Sequence, residues 1–162
     1  MKIQLDSLVI TEYCSNNIEK CHFVKEIAKD HLVCYFVSKV MDEFFEDSDQ
    51  LEDIFVGASY IVQDNNDLIG FIHLSFVHED VLNLHYGVHP KFRRNVKHYG
   101  AKILKETKNC LFERFSDVSE IELYINEINR GSIKCAEEAG YIYRKEFSNR
   151  RGTRFKIYTA KR

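Results

Sequence analysis

The chain has no tryptophan, one proline and only seven glycines in 162 residues. So little proline and glycine excludes linker-rich, collagen-like and low-complexity designs and leaves room for much regular structure. No stretch approaches the roughly 18 to 20 consecutive apolar residues that a membrane-spanning helix needs, so no membrane partner is expected. The N-terminal stretch MKIQLDSLVITEYC carries Asp6 and Glu12 and lacks the apolar core and cleavage site of a signal peptide. A cytoplasmic setting is the expectation. The five cysteines, Cys14, Cys21, Cys34, Cys110 and Cys135, are odd in number and include no C-x-x-C pair, a poor disulfide framework and a poor zinc site. They are expected as reduced, mostly buried thiols. The seven histidines show no H-E-x-x-H spacing, and no metal site is expected.

A chain of this length suits a single domain, residues 1–162, with a proper core. The formal net charge of -2 hides an uneven distribution. Asp42, Glu43, Glu46, Asp47, Asp49, Glu52 and Asp53 form an acidic run. Lys91, Arg93, Arg94 and Lys97 form a basic loop, and the last residues from Arg144 onward are again basic. Such runs are usually solvated faces. The balance argues against a dedicated nucleic-acid binder, while the acidic run would suit a cationic substrate.

Periodicity orders the chain as β α α β β β α β α β β. Leu8–Tyr13 reads as a first strand. Helical spacing follows through Ile18–Ala28 and again through Val33–Phe44. Ile54–Gln63 and Leu68–Val77 are strand-like and flank the turn signal Asp64-Asn65-Asn66-Asp67, which predicts an antiparallel hairpin. Val81–His89 is a further strand. Val96, Tyr99, Ile103, Leu104, Thr107, Leu111 and Phe115 recur as a long amphipathic helix. Ile121–Ile125 is a short strand, Asn129 opens a second helix that Gly140 ends, and Tyr141–Phe147 with Arg154–Thr159 make a last hairpin. The pattern predicts an α+β layered fold, a mixed, mostly antiparallel central sheet of about seven strands with helices on both faces. The crossover through 96–116 is compatible with one parallel pair at its centre.

The stretch Leu82–Leu104 joins an apolar strand, through Pro90 and the basic loop, to a helix N-terminus. The free amides of a helix's first turn and its dipole favour anions, so this joint suits a phosphate group.

Two segments carry a family resemblance. Tyr86-Gly87-Val88-His89-Pro90-Lys91-Phe92-Arg93-Arg94, with Tyr99-Gly100-Ala101-Lys102-Ile103-Leu104, resembles the acyl-CoA motif V-H-P-x-[YF]-[RQ]-x-x-G-x-G-x-x-L-L of the GCN5-related N-acetyltransferase (GNAT) superfamily. Asn129-Arg130-Gly131-Ser132-Ile133, running on to Glu138-Ala139-Gly140-Tyr141, is similar to that superfamily's second motif. Ser132, three residues after Asn129, is nearest the branch of ribosomal-protein and polyamine N-acetyltransferases. The chain departs from the pattern in its loop. Read from Pro90, Arg93 takes the Arg/Gln position, whereas read back from Gly100 the first family glycine falls on His98, a disagreement of about two residues. The tyrosine common on the second helix falls on Ala136, and the glutamate common on the central strand is missing.

The resemblance implies direct transfer of an acetyl group from acetyl-CoA to an amine of a small molecule or a protein, by a monomer or homodimer, without metal. It implies that CoA is held by Tyr86, Gly87, Val88, Arg93, Arg94, Asn95, Val96, Lys97, His98, Tyr99, Gly100, Ala101, Asn129 and Ser132. His85 is the candidate base, because an unperturbed imidazole titrates near about pH 6.5. Glu122 is a second candidate base, working through water, and Ser132 is the candidate acid for the departing thiolate. The alternative is a catalytically silent, possibly phage-derived GNAT-fold module for binding or structure, which the altered loop and the two missing residues favour.

Overall fold

The computed structural model describes residues 2–4, 8–12, 59–93, 96–149 and 152–162. The helices expected over 18–28 and 33–44, the acidic run 42–53, and Arg94 and Asn95 lie outside them. Among the described residues there are eight strands: β1 Lys2–Gln4, β2 Val9–Glu12, β3 Ser59–Asp64, β4 Asp67–His78, β5 Val81–Val88, β6 Glu120–Asn126, β7 Ile142–Ser148 and β8 Arg154–Lys161. Two α-helices accompany them, α1 Tyr99–Arg114 and α2 Arg130–Glu138. The hydrogen-bonded strand order is β1-β2-β3-β4-β5-β6-β8-β7. The fold is the expected α+β sheet architecture, with one strand more than expected. Lys2–Gln4 is only three residues long, too short for its alternation to register in the sequence.

The chain divides into two compact units, residues 1–73 with 87–93, and residues 74–86 with 94–162. In the first, β1 runs antiparallel to β2, β2 to β3, and β3 to β4. Leu8, Ile10, Ile61, Val62, Ile69, Phe71 and Ile72 are buried there. The predicted hairpin is present: Asp64 pairs with Asp67 across Asn65-Asn66, and Asn65 takes the left-handed conformation at φ 55°. Asparagine tolerates that region better than most residues, which is why the tetrapeptide signals a tight turn.

The second unit holds the only parallel register among the described strands. Val81, Leu82 and Asn83 of β5 pair with Glu120, Ile121 and Glu122 of β6. β6 then pairs antiparallel with β8 from Glu120↔Lys161 to Asn126↔Phe155, and β8 with β7. The crossover from β5 to β6 runs through α1, as the sequence predicts. That helix begins at Tyr99 rather than Val96, because His98 takes a left-handed conformation and interrupts the helical run. Val96, ahead of this break, is 92% exposed. α1 turns Tyr99, Ala101, Ile103, Leu104, Thr107 and Leu111 inward. α2 adds Ile133 and Ala136 to the same core and packs against α1. Lys108 of α1 ties the two helices together, its Nζ donating to the Ala139 carbonyl at 2.7 Å where α2 ends. Gly140 at φ 82° turns the chain out of α2, the left-handed stop its position predicts. The Arg162 guanidinium donates to the carbonyls of Phe112, Phe115 and Ser116, closing the other end of α1.

Candidate active site

Part of the predicted phosphate joint belongs to the first unit. Gly87 is there by necessity, since a Cβ would lie 2.3 Å from the Phe71 ring. His89 N–H donates to Ile69 O at 2.9 Å, and a single 3-10 turn, Pro90–Phe92, follows. Arg93 folds back so that its Nε donates to the Val88 carbonyl at 2.9 Å.

In the second unit the joint resumes with Val96 and Lys97, both exposed. His98 is the N-cap of α1 at φ 49°, ψ 46°, and its side chain makes no cap hydrogen bond. This is the residue that stands where the acyl-CoA motif, read back from Gly100, has a glycine. The backbone there keeps the conformation a glycine supplies freely and other residues adopt at a cost. Helical bonding starts with Lys102 N–H to His98 O at 3.1 Å. The amides of Tyr99, Gly100 and Ala101 precede it and have no partner within the helix. No acidic residue sits in this first turn, so the dipole's positive end is not neutralised from within.

β5 and β6 separate next to this helix end. Their pairing stops at Asn83↔Glu122; beyond it β6 continues on β8 alone, while Leu84, His85 and Tyr86 run on without a register to β6. The result is a wedge with Asn83 and Glu122 at its apex. Alternation along each strand gives the wedge two different sides.

One side faces the helices. Asn129 caps α2, its Oδ1 accepting the Ser132 N–H at 3.1 Å. The Ser132 hydroxyl in turn donates to the Tyr86 oxygen, and the Tyr86 hydroxyl donates to the Cys135 sulfur. Cys135 also receives the N–H of Ala101 from the first turn of α1. Gly100 is required here as well, because a Cβ would come within 2.7 Å of Cys135 Sγ. Burial pushes the Tyr86 phenol far above its ordinary value, and the neighbouring Cys135 thiol adds to this. Burial raises the Cys135 thiol and the Tyr141 phenol too. Desolvation disfavours each charged form, so this side presents neutral, protonated groups. The Tyr141 hydroxyl is buried without a hydrogen-bond partner.

The other side carries charge. Asn83 and His85 project from β5, and Glu120, Glu122, Tyr124 and Asn126 from β6. Arg144 of β7 reaches across, its Nη1 donating to Glu120 Oε1 at 2.9 Å and Glu122 Oε1 at 3.1 Å. Lys161 Nζ lies 3.6 Å from Glu120 Oε2. The Tyr124 hydroxyl donates to Glu122 Oε2 at 2.8 Å. Burial, with this carboxylate second, pushes Tyr124 up to about 12. His85 is half-buried.

The structure thus brings Tyr86, Tyr99, Gly100, Ala101, Asn129 and Ser132 together around α1 and α2, and sets His85 and Glu122 on the opposite side of the same strands. Gly87, Val88 and Arg93 belong to the first unit. Val96 and Lys97 are solvent-facing, Lys97 Nζ lying 5.6 Å over the Tyr99 ring. His98 Nδ1 lies 3.4 Å from Glu138 Oε2. The roles of Asn83, Tyr124, Arg144 and the Tyr86 side chain went unmarked in the sequence. One signal was available for Tyr124: E-I-E-L-Y-I-N alternates polar and apolar residues on a central strand, where both faces are normally apolar.

Residues 24–141 match the acetyltransferase (GNAT) family, and the chain belongs to it. By class it is an acyl-CoA-dependent N-acyltransferase, with acetyl-CoA as co-substrate. No curated protein matches its sequence. Solved structures share the fold at low identity. RimL, a ribosomal L7/L12 alpha-N-protein acetyltransferase in complex with coenzyme A, superimposes with a TM-score of 0.80 at 10% identity, covering 99% of this chain and 98% of RimL. The aminoglycoside enzyme AAC(6')-Ib with paromomycin and acetyl-CoA gives 0.78 at 14% identity, covering 97% and 94%. Spermidine N-acetyltransferase from Vibrio cholerae with CoA and spermine gives 0.74 at 16%, covering 96% and 95%.

Proposed function

We propose that the chain transfers an acetyl group from acetyl-CoA directly to a primary amine, either a protein lysine or N-terminus or a polyamine-like small molecule. The observation that carries this reading is the parting of β5 from β6 beside the open N-terminus of α1, with the Ser132 hydroxyl next to it. In this reading the backbone amides of Val96–Gly100 and the dipole of α1 hold the pyrophosphate. Asn129 contacts the pantetheine arm. A main-chain N–H in Tyr86–Val88 polarises the thioester carbonyl. His85 takes the proton of the amine, and Ser132 turns its hydroxyl from Tyr86 to protonate the departing thiolate. Glu122 has both oxygens engaged and acts by holding Tyr124 and Arg144. The three solved structures above act on, or are named for, a protein, an aminoglycoside and a polyamine; the common element is an amine.

A thermal shift with acetyl-CoA and with CoA tests the reading. Ligand at a hundredfold its Kd stabilises the native state by about 2.7 kcal/mol, or roughly 5–10 °C in Tm at this chain length. No shift at millimolar ligand would sink it and promote the catalytically silent module. Given a shift, thiol release over a panel of amines identifies the acceptor. His85→Ala and Ser132→Ala are then expected to lower turnover by about 100-fold or more with little change in acetyl-CoA affinity. Unchanged turnover would clear both residues of catalytic roles.

A further inference from the structure

The apex of the wedge contains a buried oxygen with nothing bound to it. Asn83 is 3% exposed, and its Oδ1 has no hydrogen-bond partner among the described residues. The orientation of the amide follows from its surroundings. The Tyr124 hydroxyl gives its proton to Glu122 Oε2, so the phenol oxygen can only accept from Asn83, and the Asn83 NH₂ faces it. The carbonyl end is therefore the end left over. A buried amide oxygen without a donor costs about 1–3 kcal/mol, and native structures leave few of them.

The position of this oxygen is what gives it meaning. Asn83 is the last residue of β5 paired to β6, at the point where the wedge opens. It lies on the side away from Ser132 and Cys135, and His85 follows on the same face. Around it, among the described residues, the carboxylates of Glu120 and Glu122 are matched by Arg144 and Lys161. The Asn83 oxygen offers an acceptor for one N–H of an amine.

We propose that Asn83 Oδ1 binds the acceptor substrate, a primary amine in its uncharged form, by accepting one of its N–H hydrogens. Tyr124 and Glu122 are positioning residues that fix the amide in this orientation. The inference rests on the acetyl-transfer reading and names where its second substrate sits. The bound amine keeps its lone pair, which the N–H given to Asn83 does not use, for the thioester carbon. His85 on the same face receives the proton released when the C–N bond forms and the C–S bond breaks.

The test uses the full chain with spermidine, kanamycin and a short peptide bearing a free N-terminus as acceptors, taking whichever the wild-type protein turns over fastest. Asn83→Ala is expected to raise the acceptor KM about tenfold, the size of one hydrogen bond, with the thermal shift given by acetyl-CoA unchanged. Tyr124→Phe, which preserves the ring, is expected to raise it about threefold. An unchanged acceptor KM in both variants would overturn the proposal. So would an equal loss of acetyl-CoA affinity, which marks a structural role. If Asn83→Ala fails to fold, Tyr124→Phe decides alone by the same split. A wild-type protein that shifts with acetyl-CoA but turns over none of the three probes overturns the inference while leaving co-substrate binding intact. A wild-type protein that does not shift at all marks failure of the parent reading instead.

Discussion

The two sides of the β5–β6 wedge are built from the same seven or so residues of backbone and have opposite chemistry. On the helix side, Tyr141 is buried, Tyr86 and Cys135 are half-buried, and desolvation keeps all three protonated. On the other side, Glu120, Glu122, Arg144 and Lys161 form a charged network bound to Tyr124. A strand separates alternate side chains by the thickness of a sheet at no topological cost. Acetyl transfer needs a proton donor for a thiolate and a proton acceptor for an amine, and the two would quench each other in direct contact. In the proposed reaction, strand alternation keeps the donor Ser132 and the acceptor His85 apart.

The largest test of this contrast falls on the charged side. Arg144→Ala leaves two carboxylates, each about a tenth exposed, short of their principal cation. Breaking a fully buried pair costs about 3–5 kcal/mol; the guanidinium is half exposed, so about 2 kcal/mol is expected, read by urea denaturation. A loss below about 0.5 kcal/mol would make this an ordinary surface ion pair and dissolve the distinction between the sides. On the helix side the counterpart is Gly100→Ala. The new methyl group meets Cys135 Sγ at 2.7 Å, and overpacking of this kind costs about 1–3 kcal/mol. Cys135→Ala removes the obstacle, so the double variant is expected to recover at least about 1 kcal/mol of that loss. Additive effects would show that α1 and α2 do not meet at this sulfur.

Much of this architecture was legible beforehand, for identifiable reasons. The hairpin at Asn65-Asn66, the crossover through α1 and the stop at Gly140 each rest on local chemistry that acts in any context. Asn129 as a cap belongs to the same class. The start of α1 was misread because Val96 fits the helical period, and periodicity is blind to the left-handed residue that comes between. The Arg144 contacts were invisible for a different reason. Arg144 meets Glu120 and Glu122 only because β7 folds onto β8 and β8 onto β6, and no local pattern encodes that meeting. Ser132 could be singled out from its motif, whereas Tyr86 was read through its backbone alone, since a tyrosine on a strand is usually packing.

A smaller effect is expected at the orphaned hydroxyl on the helix side. Tyr141→Phe deletes a buried, unpartnered polar atom and keeps the ring beneath Lys108. A gain of about 1 kcal/mol follows. A loss would mean that the hydroxyl has a partner in solution, and would make the helix side wetter than the contrast requires.

The smallest effect belongs to His98, the N-cap of α1. Its left-handed backbone costs a non-glycine residue about 1–2 kcal/mol, while glycine brings its own ordering cost of about 0.5–1 kcal/mol. His98→Gly should therefore change stability by less than about 1 kcal/mol, in the stabilising direction. His98→Val, whose branched side chain fits this region worst, should destabilise by about 1 kcal/mol or more relative to the glycine variant. Urea denaturation measures both. If the position does the work of the family's glycine, His98→Gly also leaves the thermal shift with CoA at least as large as in the wild type. A smaller shift would mean that the imidazole itself grips the phosphates, and that this chain has replaced backbone contacts with a side chain where its motif lost a glycine.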